Sequence, residues 1–279
     1  RDLQGCKMIG LQLADKDPHG PPQGAGGQDE SWCCSFHEFF STLLLSFYPD
    51  LSIITLLPEI FQRYPRRLKN DPAYAIMKTT RRKEAIHMAE KTILCYGDSN
   101  TYGYDPVSGL RHPPDIRWTG RLKQILGPGF RVIEEGCNGR TTMYDYPDES
   151  WKNGLYHLRP CLNSHKPLDV VILMLGTNDL KEVFHAPVQK IAENAGRLAA
   201  VIQEFMAEKQ GSVPKIILVA PPRIGPGITS SPFKDEFTEN AVAKSEEFSV
   251  YYRQEAARRG CVFFDASEYV QPSREDSLH

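Results

Sequence analysis

A chain of 279 residues has room for one large domain or two small ones, and 41% hydrophobic with 24% charged residues is an ordinary globular composition that excludes full disorder. Its 33 basic against 35 acidic residues leave a formal charge of -2. That balance argues against a surface built to neutralise a phosphate backbone, so no nucleic-acid partner is expected.

The first part of the chain, residues 1–87, is read as an N-terminal extension that is largely disordered or non-native. It opens with a Pro/Gly-rich run, Pro18-His19-Gly20-Pro21-Pro22-Gln23-Gly24-Ala25-Gly26-Gly27, which has too little apolar surface to order itself. Two apolar bursts follow at 39–48 and 51–57. Pro49, Asp50 and Pro58 interrupt them, so the stretch is not read as a membrane span, which needs about 20 nearly unbroken apolar residues. The basic residues Arg63, Arg66, Arg67, Lys69, Lys78, Arg81, Arg82 and Lys83 are read as a solvated face. No secretory signal is recognised, and Met88-Ala89-Glu90-Lys91 reads like a native start. Cys6, Cys33, Cys34, Cys95, Cys137, Cys161 and Cys261 form an odd set without CxxC pairs. Reduced thiols in a cytoplasmic protein are expected, with neither a disulfide framework nor a zinc site.

Residues 88–279 alternate short β-branched runs with longer helical patterns, the signature of a parallel sheet covered on both faces. Strands are predicted at 92–96, 131–134, 170–175, 215–220 and 262–265, and helices at 118–126, 188–209 and 235–259. The run Val170-Val171-Ile172-Leu173-Met174-Leu175 lacks polar alternation, as a strand buried on both sides should. The fold class expected is α/β, a flavodoxin-like three-layer sandwich with a five-stranded parallel sheet. Ligands of such sheets bind outside the carboxyl ends of the strands.

Four segments at or near strand ends could carry chemistry. Gly97-Asp98-Ser99-Asn100 sets a hydroxyl at a strand-to-helix junction, where Ser99 is either a nucleophile or a helix cap. Glu135-Gly136-Cys137-Asn138-Gly139-Arg140 offers a glycine whose N–H could face a ligand, or an ordinary turn. Gly176-Thr177-Asn178-Asp179 offers a side-chain amide that can donate to a developing oxyanion or cap a helix. Asp276-Ser277-Leu278-His279 puts an imidazole of suitable basicity three residues after a carboxylate able to fix its tautomer.

Taken together, and in this order, the segments resemble the four blocks of the GDSL/SGNH hydrolase family over residues 88–279. The stretches Asp115-Ile116-Arg117-Trp118-Thr119-Gly120, Val132-Ile133-Glu134-Glu135-Gly136, Arg140-Thr141-Thr142 and Met174-Leu175-Gly176-Thr177-Asn178-Asp179 look like its arylesterase/acyltransferase branch. Asn100 stands where the GDSL name has leucine, and the segment between Tyr104 and Asp115 differs from the best-known pattern.

The resemblance implies a serine esterase for small acetyl or aryl esters, with acyl transfer to alcohols as a further activity. Ser99 would be the nucleophile, Asp276 and His279 would complete the triad, and Ser99, Gly139 and Asn178 would form the oxyanion hole. No cofactor or metal is implied, the partner is a small-molecule ester, and assembly into homo-oligomers is open. Trp118, Tyr102 and Tyr144 are candidates to line the pocket, against a plain core role. Asp98 and Asp179 are expected to position loops, and His112, His157, His165 and His185 to serve the surface or packing. A carbohydrate deacetylase or lysophospholipase of the same family, and an inactive binding module, stay open. Relatives continue past the catalytic histidine, so the domain is read as truncated at His279, with its last residues frayed.

Overall fold

The computed structural model describes residues 90–279, and the readings made for residues 1–87 lie outside them. Five strands form one parallel sheet in the order β2-β1-β3-β4-β5. They are β1 (Lys91–Gly97), β2 (Phe130–Gly136), β3 (Val170–Met174), β4 (Lys215–Ala220) and β5 (Val262–Asp265). This is the expected α/β sandwich with a five-stranded parallel sheet, and the predicted strands fall within two residues of the observed ends.

The central strands are apolar on both faces because both are covered. In β1, Leu94 and Tyr96 enter one core cluster while Ile93 and Cys95 enter the other, following the two-residue alternation of a pleated strand. The larger cluster is closed by α3 (Gly154–His165), α4 (Val188–Gln210) and α6 (Phe248–Arg259), and the smaller by α2 (Trp118–Leu126). Edge strand β2 is only half-buried along its length.

Two features depart from the predicted helices. The single helix expected at 235–259 is two, α5 (Glu239–Glu246) and α6, joined at Glu247, whose N–H bonds the carbonyls of Lys244 and Ser245. Residues 233–237 form turns, with the Phe237 N–H on the Phe233 carbonyl and the Phe237 ring fully buried. The structure also has α1 (Ser99–Tyr102) and α3, neither of them predicted. α1 is a single turn, too short for periodicity to reveal. α3 contains Pro160, which a sequence reading penalises in a helix interior. Pro160 is tolerated because it lies on the exposed face, while Asn153 caps the start by accepting the Leu155 N–H at 2.9 Å.

The strand order has a direct consequence for the site. The chain leaves β1 for β2 on one side and returns to β3 on the other, so the loops after β1, β2 and β3 diverge around a crevice at the carboxyl edge. No helix of the described residues is long and apolar enough to cross a membrane.

Candidate active site

Ser99 opens α1 directly after β1. Asp98 caps that turn, its Oδ1 accepting the Asn100 N–H at 3.0 Å, and Ser99 is buried but for 8% of its surface. Burial pushes the Asp98 carboxyl up to about 6, against the opposing hydrogen bond from Asn100. As the first residue of a helix, Ser99 has an N–H without an intrahelical acceptor.

The last four residues are not frayed. His279 Nε2 lies 2.8 Å from Ser99 Oγ, and His279 Nδ1 lies 2.6 Å from Asp276 Oδ2. The other Asp276 oxygen accepts the N–H groups of Leu278 and His279 at 3.0 Å each and the Ser273 hydroxyl at 2.8 Å. Burial disfavours the charged carboxylate, but the hydrogen bonds from His279 and Leu278 outweigh it and hold Asp276 down to about 2. The Gly225 N–H bonds the Ser277 carbonyl at 2.7 Å, tying this segment to the loop after β4. Ser99, Asp276 and His279 are thus brought into one hydrogen-bonded line.

Two aromatic rings that the sequence reading did not single out flank the imidazole. Tyr104 lies 4.6 Å and Phe233 5.7 Å from the His279 ring centre, and the two rings are 6.4 Å apart. Phe233 is 46 residues from His279, beyond the reach of any local pattern.

Gly139 adopts the left-handed region at φ 77°, which favours glycine, and its nearest neighbour is the flexible end of the Lys152 side chain, 3.2 Å from where a Cβ would lie. The buried Asn178 amide donates to the Arg140 carbonyl at 3.2 Å, which uses one of its two hydrogens and anchors the Asn178 turn to the Gly139 loop. Arg140 is itself buried. Its guanidinium donates to the carbonyls of Gly97 at 2.9 Å and Glu135 at 2.5 Å and stacks on the Tyr96 ring at 4.3 Å. One arginine in the loop after β2 therefore ties that loop to the ends of β1 and β2. Asp179 accepts the Thr142 N–H and hydroxyl, the positioning part expected of it, and burial raises its carboxyl to about 7 despite those bonds.

The aromatic pocket candidates separate. Tyr144 packs against the larger core cluster with its ring 5.3 Å from Phe184, and Tyr102 takes the Arg111 guanidinium over its ring at 4.7 Å. Trp118, the first residue of α2, is partly buried and packs against the smaller core cluster. One group among the described residues has metal-ligating atoms close together: Glu135, Cys161 and His165, within 4.8 Å of one another. The four-residue spacing of Cys161 and His165 on α3 was its one sequence signal. His165 pairs there with Glu135 at 2.8 Å, and none of the three bonds Ser99 or His279.

Residues 95–279 match the family model of the GDSL-like lipases and acylhydrolases. The chain belongs to that family. Among solved structures, this GDSL-like hydrolase is similar to the aryl esterase of M. smegmatis, at 38% identity over 68% of this chain and 90% of that one, with a TM-score of 0.63. It is similar to Est24, a carbohydrate acetylesterase from Sinorhizobium meliloti, at 37% identity over the same shares and with the same score. A putative arylesterase from Agrobacterium tumefaciens matches at 38% identity over 68% of this chain and 89% of that chain, with a TM-score of 0.61. No curated protein matches the chain. The GDSL-like chain is accordingly an ester-bond hydrolase.

Proposed function

We propose that this chain is a serine esterase acting on small carboxylic esters, acetyl and aryl esters among them, through an acyl-enzyme on Ser99. The observation that carries the reading is the unbroken line from Ser99 Oγ through His279 to Asp276, with contacts of 2.8 and 2.6 Å.

In this scheme Ser99 Oγ attacks the ester carbonyl carbon while its proton passes to His279 Nε2. The negative charge that develops on the carbonyl oxygen is met by the N–H groups of Ser99 and Gly139 and by the second amide hydrogen of Asn178. Each such donor is typically worth a factor of about 10²–10³ in rate. The bond to the leaving oxygen then breaks as His279 returns its proton to it, releasing the alcohol. Water repeats the sequence on the acyl-enzyme and frees the acid, and an alcohol entering in place of water gives acyl transfer. Asp276, held ionised by its hydrogen bonds, orients the imidazole and stabilises its cationic form without taking the proton. The scheme calls for no metal or organic cofactor. The named activities of the arylesterase and carbohydrate acetylesterase neighbours support this reaction class.

Replacing Ser99 by alanine is expected to abolish turnover of p-nitrophenyl acetate and labelling by a fluorophosphonate probe, with the circular dichroism spectrum unchanged. Undiminished turnover in that variant would sink the assignment.

A further inference from the structure

The group formed by Glu135, Cys161 and His165 takes no part in the hydrolytic scheme, and its residue types are those that bind a borderline-soft cation. Glu135 shares a face of β2 with Ile133, two residues earlier, and Ile133 packs on the larger core cluster that holds Cys161. Cys161 and His165, one helical turn apart, project from the same side of α3. The pleat and the helical period thus direct a carboxylate, a thiol and an imidazole to one point.

Their ligand atoms lie within 4.8 Å of one another, and His165 Nε2 is 2.8 Å from Glu135 Oε1. A tetrahedral zinc ion with bonds of about 2.0–2.3 Å spaces its ligand atoms roughly 3.3–3.6 Å apart. The imidazole and carboxylate would part by about half an ångström, and the longest separation would close by about one ångström. The side chains of His165 and Glu135 are 28% and 26% exposed, which leaves room for such rotation and a path of entry from water. Cys161 is a buried free thiol and forms the inner wall.

Charge selects the ion. The ionised groups that act on the Cys161 thiol are Glu135 and Arg140, and burial pushes the thiol up to about 12, so without a metal it stays protonated. Magnesium and calcium prefer all-oxygen ligands and would leave the sulfur unused. Zinc takes the sulfur as thiolate: the S–H proton leaves to water and an S–Zn bond forms. Thiolate and carboxylate together cancel the two positive charges of the ion, so the filled site is neutral beside the Arg140 guanidinium. His165 is the last residue of α3, where the helix dipole favours a cation.

We propose that Glu135, Cys161 and His165 bind one zinc ion, with water in the fourth position, and that the ion clamps the half-buried edge strand β2 to the C-terminal end of α3. The full chain, freed of metal with a chelator, is titrated with cobalt(II), whose thiolate charge-transfer and visible ligand-field bands report tetrahedral sulfur coordination. One equivalent is expected, lost in Cys161→Ser and in His165→Gln and bound at least about tenfold more weakly in Glu135→Gln. Circular dichroism checks that each variant is folded, and Cys161→Ala replaces the serine variant if that one is not. Zinc at a hundredfold excess over its Kd is expected to raise Tm by about 5–10 °C, with no such rise in Cys161→Ser. Each melt is compared with that of the same variant free of metal, so a less stable variant does not disguise the result. No thiolate band in the wild type, no rise in its Tm, or undiminished affinity in Glu135→Gln overturns the proposal. A band that survives in either the Cys161 or the His165 variant also overturns it, since the ion then rests on other ligands of the chain, such as Cys33, Cys34 and His37.

Discussion

Asp276 shows how a single carboxylate is made to serve one purpose. One oxygen is occupied by two backbone N–H groups and a serine hydroxyl, and the other is left to His279 Nδ1 at 2.6 Å. An asparagine has nearly the same shape, but with its N–H2 toward Nδ1 it stabilises the wrong imidazole tautomer. Asp276→Asn is expected to lower kcat on p-nitrophenyl acetate by a factor on the order of 10⁴ with far less change in KM. Steady-state kinetics check this, and a kcat within tenfold of wild type would remove Asp276 from the mechanism. At the same scale, Ser99, Gly139 and Asn178 were legible as candidate residues because each lies in a short block after a strand. Tyr104 and Phe233 were not, since an aromatic residue in a loop has no signature that separates a pocket wall from core packing.

At the scale of elements, the position of Ser99 depends on how closely α1 approaches β2. A Cβ on Gly136 would lie 2.1 Å from the Tyr102 backbone nitrogen, so the glycine lets the helical turn carrying Ser99 rest on the end of the neighbouring strand. The obstructing atom is backbone, and no rotamer change can relieve it. Gly136→Ala is therefore expected to cost about 1–3 kcal/mol, as overpacking typically does. For a domain of this size each kcal/mol lowers Tm by about 2–4 °C, which a thermal melt would read. Because the strain falls on α1, kcat should drop as well, and an unchanged Tm and kcat would contradict the argument. The long helix α4 was plain in the sequence from its helical apolar pattern, and the buried strands from their short unbroken apolar runs. The break at Glu247 was not, because that residue keeps helical dihedrals (φ -84°, ψ -11°) and breaks no propensity rule.

Across the whole molecule, loops from the strand ends enclose carboxylates whose affinities for protons diverge. Asp98 and Asp179 are raised to about 6 and about 7, so between about pH 4 and 7 the folded chain holds protons that the unfolded chain has released. Their contribution to stability therefore declines as pH rises through that window. Asp276 has the opposite sign. Its carboxyl is held at about 2, and the stability it adds is present above about pH 4 and lost as pH falls toward 2. Urea midpoints measured from about pH 4 to 7.5 are expected to fall with rising pH, and Asp179→Asn should flatten that slope. An identical slope in the variant would show that Asp179 is ionised throughout.

The sequence by itself determined the α/β class, the five strands and the short blocks that follow them, because burial on two faces and turn chemistry leave local patterns. It also exposed the Asp276-x-x-His279 pair, whose mutual contact needs only a three-residue spacing. What only the tertiary structure decided is which loops meet. Ser99 and His279 are 180 positions apart, and their 2.8 Å contact follows from the order β2-β1-β3-β4-β5, which gathers distant strand ends around one crevice. The same convergence sets Phe233 against His279 and two lysines beside Tyr146. No spacing along the chain encodes those neighbours, since the distance between loops at a sheet edge is set by strand order and not by separation in sequence.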